Sequence, residues 1–234
     1  MNQPQKVKAL FVSDVHLGSE GCNAKAVIET LKRYEPEILF LVGDIVDGWL
    51  LSKRFYWPQE HTNVLRKILS YSKKGTRVIY VPGNHDEFLR QYCDFTFGNI
   101  EIHNEYLFEG AYVVHGDAYD GVVQLSWLGM LGSMGYDAAI VFDRYLKKLG
   151  YKKSVSKWLK DRIKEAVKFI TNFERELAKQ AKQRGCHTVI CGHIHKAEDK
   201  TVDGVRYINT GDWVESFTYV TYNDGKYELH STAR

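Results

Sequence analysis

Apolar residues along the chain gather in short runs of Val, Ile, Leu, Phe and Tyr at residues 9–13, 38–42, 78–81, 112–114 and 188–191. Runs of this length with no polar alternation predict strands covered on both faces. Between the first three, residues 24–34 and 62–74 carry apolar positions at helical spacing, so strand and helix alternate as layered α/β folds require. Beyond residue 191 the pattern becomes strand-rich, with runs at 205–209, 217–222 and 226–230 separated by Gly/Asp turns. The expected architecture is an α/β fold of two packed sheets with helices outside, formed as a single domain over residues 1–234.

One stretch breaks the rhythm. Residues 122–184 separate two strand candidates by more than a connection needs, and they predict a helical lid inserted into the domain. Its second half has two faces: Val155, Leu159, Ile163, Ala166, Val167, Ile170 and Phe173 form an apolar stripe, with Lys153, Lys157, Lys160, Lys164 and Lys168 opposite. Its first half, 122–141, is apolar but interrupted by glycines, and too short for a membrane span.

Charge sharpens this division. The chain of 234 residues has a formal net charge of +3, yet residues 144–184 alone carry +10 and the remainder −7. An acidic body with a basic appendage suits a polyanionic partner: nucleic acid, an anionic membrane surface or a phosphorylated substrate. The N-terminal residues are polar and charged, and the run at 9–12 is too short for a signal or a span. Cys22, Cys93, Cys186 and Cys191 show no CxxC spacing. The expectation is a cytoplasmic protein without disulfides, in peripheral contact with the inner membrane face at most.

Chemistry enters at the strand ends. The first run leads into Asp14-Val15-His16, the second into Gly43-Asp44-Ile45-Val46-Asp47, and the third into Pro82-Gly83-Asn84-His85-Asp86. The fourth ends in His115-Gly116-Asp117 and the fifth in Gly192-His193-Ile194-His195. That rim is where open α/β sheets bind ligands, so residues far apart in sequence converge there. Imidazole, carboxylate and amide oxygen without thiolate describe a transition-metal site, with Mn2+ favoured and Fe or Zn2+ also suited. Two ions about 3.5–4 Å apart would clamp both oxygens of an in-line displacement at phosphorus, and Asp44 is the natural bridge.

This ordered set, DxH, GDxxD, GNHD, HG and GHxH, resembles the calcineurin-like metallophosphoesterase superfamily from Asp14 to His195. The resemblance implies a two-sheet β-sandwich flanked by helices. It implies one divalent ion on Asp14, His16, Asp44 and His195, and a second on Asp44, Asn84, His115 and His193, sharing a bridging hydroxide. It gives His85 the task of contacting the scissile phosphate and assisting the leaving group, with Asp86 orienting it.

Chain length, the run from Gly43 to Trp49, His115-Gly116-Asp117 and the large insertion resemble the UDP-2,3-diacylglucosamine diphosphatase branch. That branch cleaves a nucleotide-sugar pyrophosphate to a lipid monophosphate and UMP in lipid A synthesis. Lys164 and Lys168, one helical turn apart, and Asp120 are the candidate substrate contacts. One departure stands out, since well-known members of the branch carry Arg where this chain has His85. Two other readings stay open: a phosphodiesterase acting on nucleic acid or another diester, and a non-catalytic interaction module. The lysine stripe contains no interleaved aromatic of the kind that stacks on bases, which favours a lipid or small phosphorylated substrate over nucleic acid.

Overall fold

A computed structural model describes residues 3–119 and 155–232, with side chains of the second segment described from Lys164 onward. Asp120, the apolar stretch 122–141 and Lys153 lie outside this description, as do the side chains of Lys157 and Lys160. The chain divides into two compact units, one of Met1–Ala118 with Leu177–Arg234 and one of Tyr119–Glu176.

The first unit opens with β1 (Gln5–Val12), α1 (Ala24–Arg33), β2 (Tyr34–Val42), α2 (Gly48–Lys53), α3 (Gln59–Lys73) and β3 (Arg77–Val81). A 3-10 turn (Glu87–Tyr92) leads to β4 (Thr96–Phe97), β5 (Ile100–Ile102), β6 (Tyr106–Phe108) and β7 (Ala111–Val113). Helix α4 (Val155–Gln183) begins in the second unit and ends in the first. The strands β8 (Thr188–Cys191), β9 (Glu198–Val202), β10 (Val205–Asn209), β11 (Thr218–Asn223) and β12 (Lys226–Ser231) complete the first unit.

Among the described residues the strands form a seven-stranded sheet in the order β12-β11-β1-β2-β3-β5-β4 and a five-stranded sheet in the order β6-β7-β8-β10-β9. The centre of the first is parallel, β1 with β2, β2 with β3 and β3 with β5, as is β7-β8-β10 of the second. The continuous apolar runs follow from burial on two sides. Leu10, Val12, Leu39, Leu41 and Val78 pack with Val27 and Leu31 of α1 and Val64, Ile68 and Tyr71 of α3. Their neighbours Ala9, Phe11, Phe40, Val42, Ile79 and Val81 pack with Ala111, Val113, Ile190 and Ile208 of the other sheet. Phe11 and Phe40 stack at 4.5 Å between ring centres, within the range where offset aromatic pairs add to burial. Parallel strands so clamped on two layers deliver their C-terminal ends to one rim.

The expected strands and the helices at 24–34 and 62–74 are present, and the two-sheet α/β architecture stands, while the first half of the expected lid lies outside the described residues. Sequence periodicity passed over β4, β5 and β6, strands of two or three residues, too short for any period to show. It also passed over β9, whose sequence EDKTV is polar because it borders the sheet as an edge strand. No described helix is long and apolar enough to cross a membrane.

Candidate metal centre

Each of β1, β2, β3, β7 and β8 ends in a loop that carries polar residues to the rim, and after β1, β2 and β8 the turn is sharp enough to strain the backbone. Asp14, His16, Asp44, His193 and His195 have φ of 50°, 53°, 54°, 72° and 53°, a left-handed state costly for residues with a Cβ. Strain of this kind persists only where its surroundings over-determine it, and it clusters at functional sites. Here the loops lace onto one another: Asp14 N donates to Gly43 O at 3.0 Å, His16 N to Asp44 O at 2.9 Å and Leu17 N to Ile45 O at 2.9 Å.

Glycines make the close approach possible. A Cβ on Gly83 would strike Asp44 Oδ1 and come within 2.7 Å of His115 Nε2, and one on Gly192 would strike Asp14 Oδ2.

The donor atoms then meet in groups. Asp14, His16 and His195 form one set, Asp44, His115 and His193 a second, and His16, Asp47 and His85 a third, each with its ligand-type atoms within 4.8 Å of one another. His195 Nε2 lies 3.2 Å from Asp14 Oδ1 and 3.2 Å from His16 Nε2. Asp44 Oδ2 stands 3.3 Å from His115 Nε2 and 4.0 Å from His16 Nε2. The interior of the cluster is closed, with Asp14 and His115 at 0% exposure, while the His195 side chain at 40% and that of His85 at 26% form its open side.

The imidazoles share one design. His115 Nδ1 donates to Val42 O at 2.9 Å, His16 Nδ1 faces Asp47 Oδ2 at 3.4 Å and His195 Nδ1 faces Asp212 Oδ2 at 3.8 Å. With Nδ1 held from outside, Nε2 points inward, the arrangement by which outer partners fix metal-binding histidines. In neutral rings those Nε2 atoms are acceptors, yet they face carboxylates or each other. His115 Nε2 and Asn84 Oδ1 are both buried without a hydrogen-bond partner. Imidazole acceptors converging on carboxylates fit a shared cation, and the orphaned Asn84 amide oxygen, which cannot be protonated near neutrality, is a further acceptor without a donor.

The electrostatics say the same. Burial would raise the Asp14 and Asp44 carboxyls, but His195 beside Asp14 lowers the first, and His115, His16 and His85 hold Asp44 well below the usual carboxylate range. Burial would lower the imidazoles, yet Asp44 lifts His115 well above its ordinary value and Asp14 lifts His195 to about 9. The carboxylates thus draw positive charge onto the imidazoles, the role a divalent ion takes when it displaces those protons.

His85 requires a correction to the sequence expectation. The carboxylate on its ring is Asp47, whose Oδ1 accepts from His85 Nδ1 at 2.9 Å and also caps α2 through Leu50 N at 2.8 Å. Against burial, this bond and nearby Asp44 raise the His85 pKa. Asp86 faces elsewhere. Its Oδ2 accepts from Ile45 N at 2.8 Å and from the Tyr80 hydroxyl at 2.5 Å, and its Oδ1 from Gly83 N at 2.6 Å. It joins the loop after β2 to the loop after β3, and burial pushes its carboxyl up.

Two contributors escaped the sequence reading. Asp47 was visible as the last residue of GDxxD but carried no role. Asp212 follows β10 in a Thr-Gly-Asp run like the other strand ends, and its Oδ1 accepts from the amides of Val214, Glu215 and Ser216 at 2.9, 2.6 and 3.0 Å. Of the expected substrate contacts, Lys164 and Lys168 are exposed on α4 in the second unit.

The calcineurin-like phosphoesterase family model matches residues 7–197. A UDP-2,3-diacylglucosamine hydrolase of Porphyromonas gingivalis is 29% identical over 104 residues, 41% of this chain and 39% of that protein. The enzyme of that name from Neisseria meningitidis serogroup B is 22% identical over 241 residues, 93% of this chain and 94% of the relative. Among solved structures, Yfce, a phosphoesterase from E. coli, is 14% identical with a TM-score of 0.44, covering 92% of this chain and 88% of that one. On the family match, which takes in every strand-end residue from Asp14 to His195, the chain belongs to the calcineurin-like phosphoesterases and is a metal-dependent hydrolase of phosphoric esters.

Proposed function

We propose that the chain cleaves the pyrophosphate of UDP-2,3-diacylglucosamine to UMP and a lipid monophosphate at a centre of two divalent ions. The observation that carries the two-ion reading is Asp44, whose Oδ2 stands between His115 Nε2 at 3.3 Å and His16 Nε2 at 4.0 Å. Asp14, His16, Asp44 and His195 would hold one ion and Asp44, Asn84, His115 and His193 the other, with Mn2+ the first choice for an N/O donor set. When bound, such ions supply charge stabilisation at the phosphoryl oxygens and a water of lowered pKa.

The side chains do the rest. Asp47 fixes the His85 ring through Nδ1 and leaves Nε2 free to meet a phosphate oxygen, where the imidazolium would offset charge on the phosphate and release its proton to the departing oxygen. Asp86 keeps the Asp44 and Asn84 loops in register. Support for the substrate comes from the two hydrolases described above and from Lys164 and Lys168, whose ammonium groups suit phosphate or an anionic membrane surface. Asp120, from the sequence alone, is a further proposed contact.

His85 in place of the branch's Arg favours a second reading, a phosphodiesterase of broader scope, including nucleic acid. One assay separates them. Mn2+-loaded protein should release UMP and lipid phosphate from UDP-2,3-diacylglucosamine, and Asp44→Ala and His85→Ala should not. Hydrolysis of bis-p-nitrophenyl phosphate without UMP release would refute the lipid assignment and favour the broader enzyme. No hydrolysis of either substrate, together with no bound metal, would leave the interaction-module reading.

A further inference from the structure

The backbone lacing that holds the ligand loops ends at Gly18, where a side chain takes it over. Leu17 pairs with Val46, and Asp47 N donates to Leu17 O at 2.8 Å. The next amide, Gly18 N, leaves this ladder and donates to His61 Nδ1 at 3.0 Å in a buried bond. Gly18 has φ 109°, with Leu51 lying where a Cβ would sit, so no other residue fits this turn and its amide direction is set.

His61 stands in the first turn of α3 with its own N donating to Pro58 O at 3.1 Å. Its ring is 2% exposed and wedged by the edges of Tyr56 and Trp57, at 5.8 and 5.6 Å between ring centres. Because Gly18 N is a donor, Nδ1 carries the lone pair and the ring proton sits on Nε2, and burial lowers the ring's pKa. None of the three ligand groups includes it. A buried, neutral imidazole that accepts one amide two residues beyond His16 has a geometric task.

We propose that His61 is a positioning residue for the metal centre: by accepting Gly18 N it anchors the far end of the loop that carries Asp14 and His16. The inference rests on the reading of those two residues as ligands. His61 touches neither ion nor substrate; it acts through the backbone, as outer partners of ligands do when their loss costs about 10- to 100-fold in metal affinity.

The test is calorimetric titration of metal-free protein with Mn2+, alongside the Mn2+ dependence of bis-p-nitrophenyl phosphate hydrolysis. His61→Leu removes the acceptor while keeping bulk, and His61→Asn places an oxygen near the Nδ1 position. The Leu variant should bind Mn2+ about tenfold more weakly, with KM for the diester little changed, and the Asn variant should recover most of the loss. Wild-type affinity in the Leu variant, or an Asn variant as weak as Leu, overturns the proposal. An Asp14→Asn control separates the two levels: if it binds Mn2+ as the wild type does, the ligand reading fails and this inference fails with it. Should the Leu variant not fold, a nitrogen–nitrogen coupling across the hydrogen bond between the Gly18 amide and His61 Nδ1 in wild-type NMR decides. Its presence supports the anchor and its absence removes it.

Discussion

Left-handed backbone occurs at two ends of the same sheets and means different things at each. At the hairpins, Asp203-Gly204 joins β9 to β10 and Asp224-Gly225 joins β11 to β12, all four residues with positive φ. That is the turn whose twist matches the strands it connects, and a Cβ on Gly204 or Gly225 would meet nothing within 4 Å. At the metal rim the same conformation falls on Asp and His, while Gly83 and Gly192 lie against Asp44 and Asp14. The hairpin glycines serve the chain's path; the rim glycines make room for charged side chains. Strain in the first case is relieved by choice of residue, whereas in the second it is carried by the proposed ligands and held by neighbouring hydrogen bonds.

The contrast can be broken at its centre. Asp44→Ala should cut phosphodiester hydrolysis by about a thousandfold, because several kcal/mol of charge stabilisation at phosphorus depends on the ions it would share. Next comes Gly83→Ala, whose added methyl invades Asp44 and His115. It should lower kcat/KM about a hundredfold, whereas Gly204→Ala and Gly225→Ala should leave turnover intact and cost about 1–2 kcal/mol in denaturant unfolding. Equal effects on activity at rim and hairpin would erase the distinction. Asp47→Asn should reduce kcat about 10- to 100-fold by loosening both His85 and His16, read in steady-state kinetics. Tyr80→Phe leaves Asp86 one donor short and should cost about 1–2 kcal/mol of stability with less effect on turnover, measured by thermal unfolding. The smallest change expected is at Lys164→Gln with Lys168→Gln: within about threefold on a soluble diester, consistent with exposed charges being weakly coupled, and larger on a lipid substrate.

The rim was legible because each buried strand announces itself as an apolar run and because Asp, Asn and His follow five of them directly. That reading needs only chain order, since parallel strands in one sheet send their ends to the same side. Partners across loops are a different matter. Asp86 adjoins His85 in sequence, and adjacency suggested that one orients the other, yet neighbours in a tight turn project apart. The residue that faces His85 Nδ1 is 38 positions away. Likewise His61 falls just before the helix read at 62–74; its value comes from Gly18, which no periodicity connects to it.

The proposed ligands in the first and last thirds of the chain meet across the sandwich: His16 and His195 are 179 residues apart, as are Asp14 and His193. Contacts of that span form only after both sheets have docked, so the centre is assembled late in folding rather than templated by any local segment. A cation captured there ties together distant parts of the polypeptide and, by binding the native state alone, raises its stability as RT ln(1 + [M]/Kd). Chelation should therefore loosen the whole sandwich, making metal supply a condition for the enzyme's persistence as well as for its turnover.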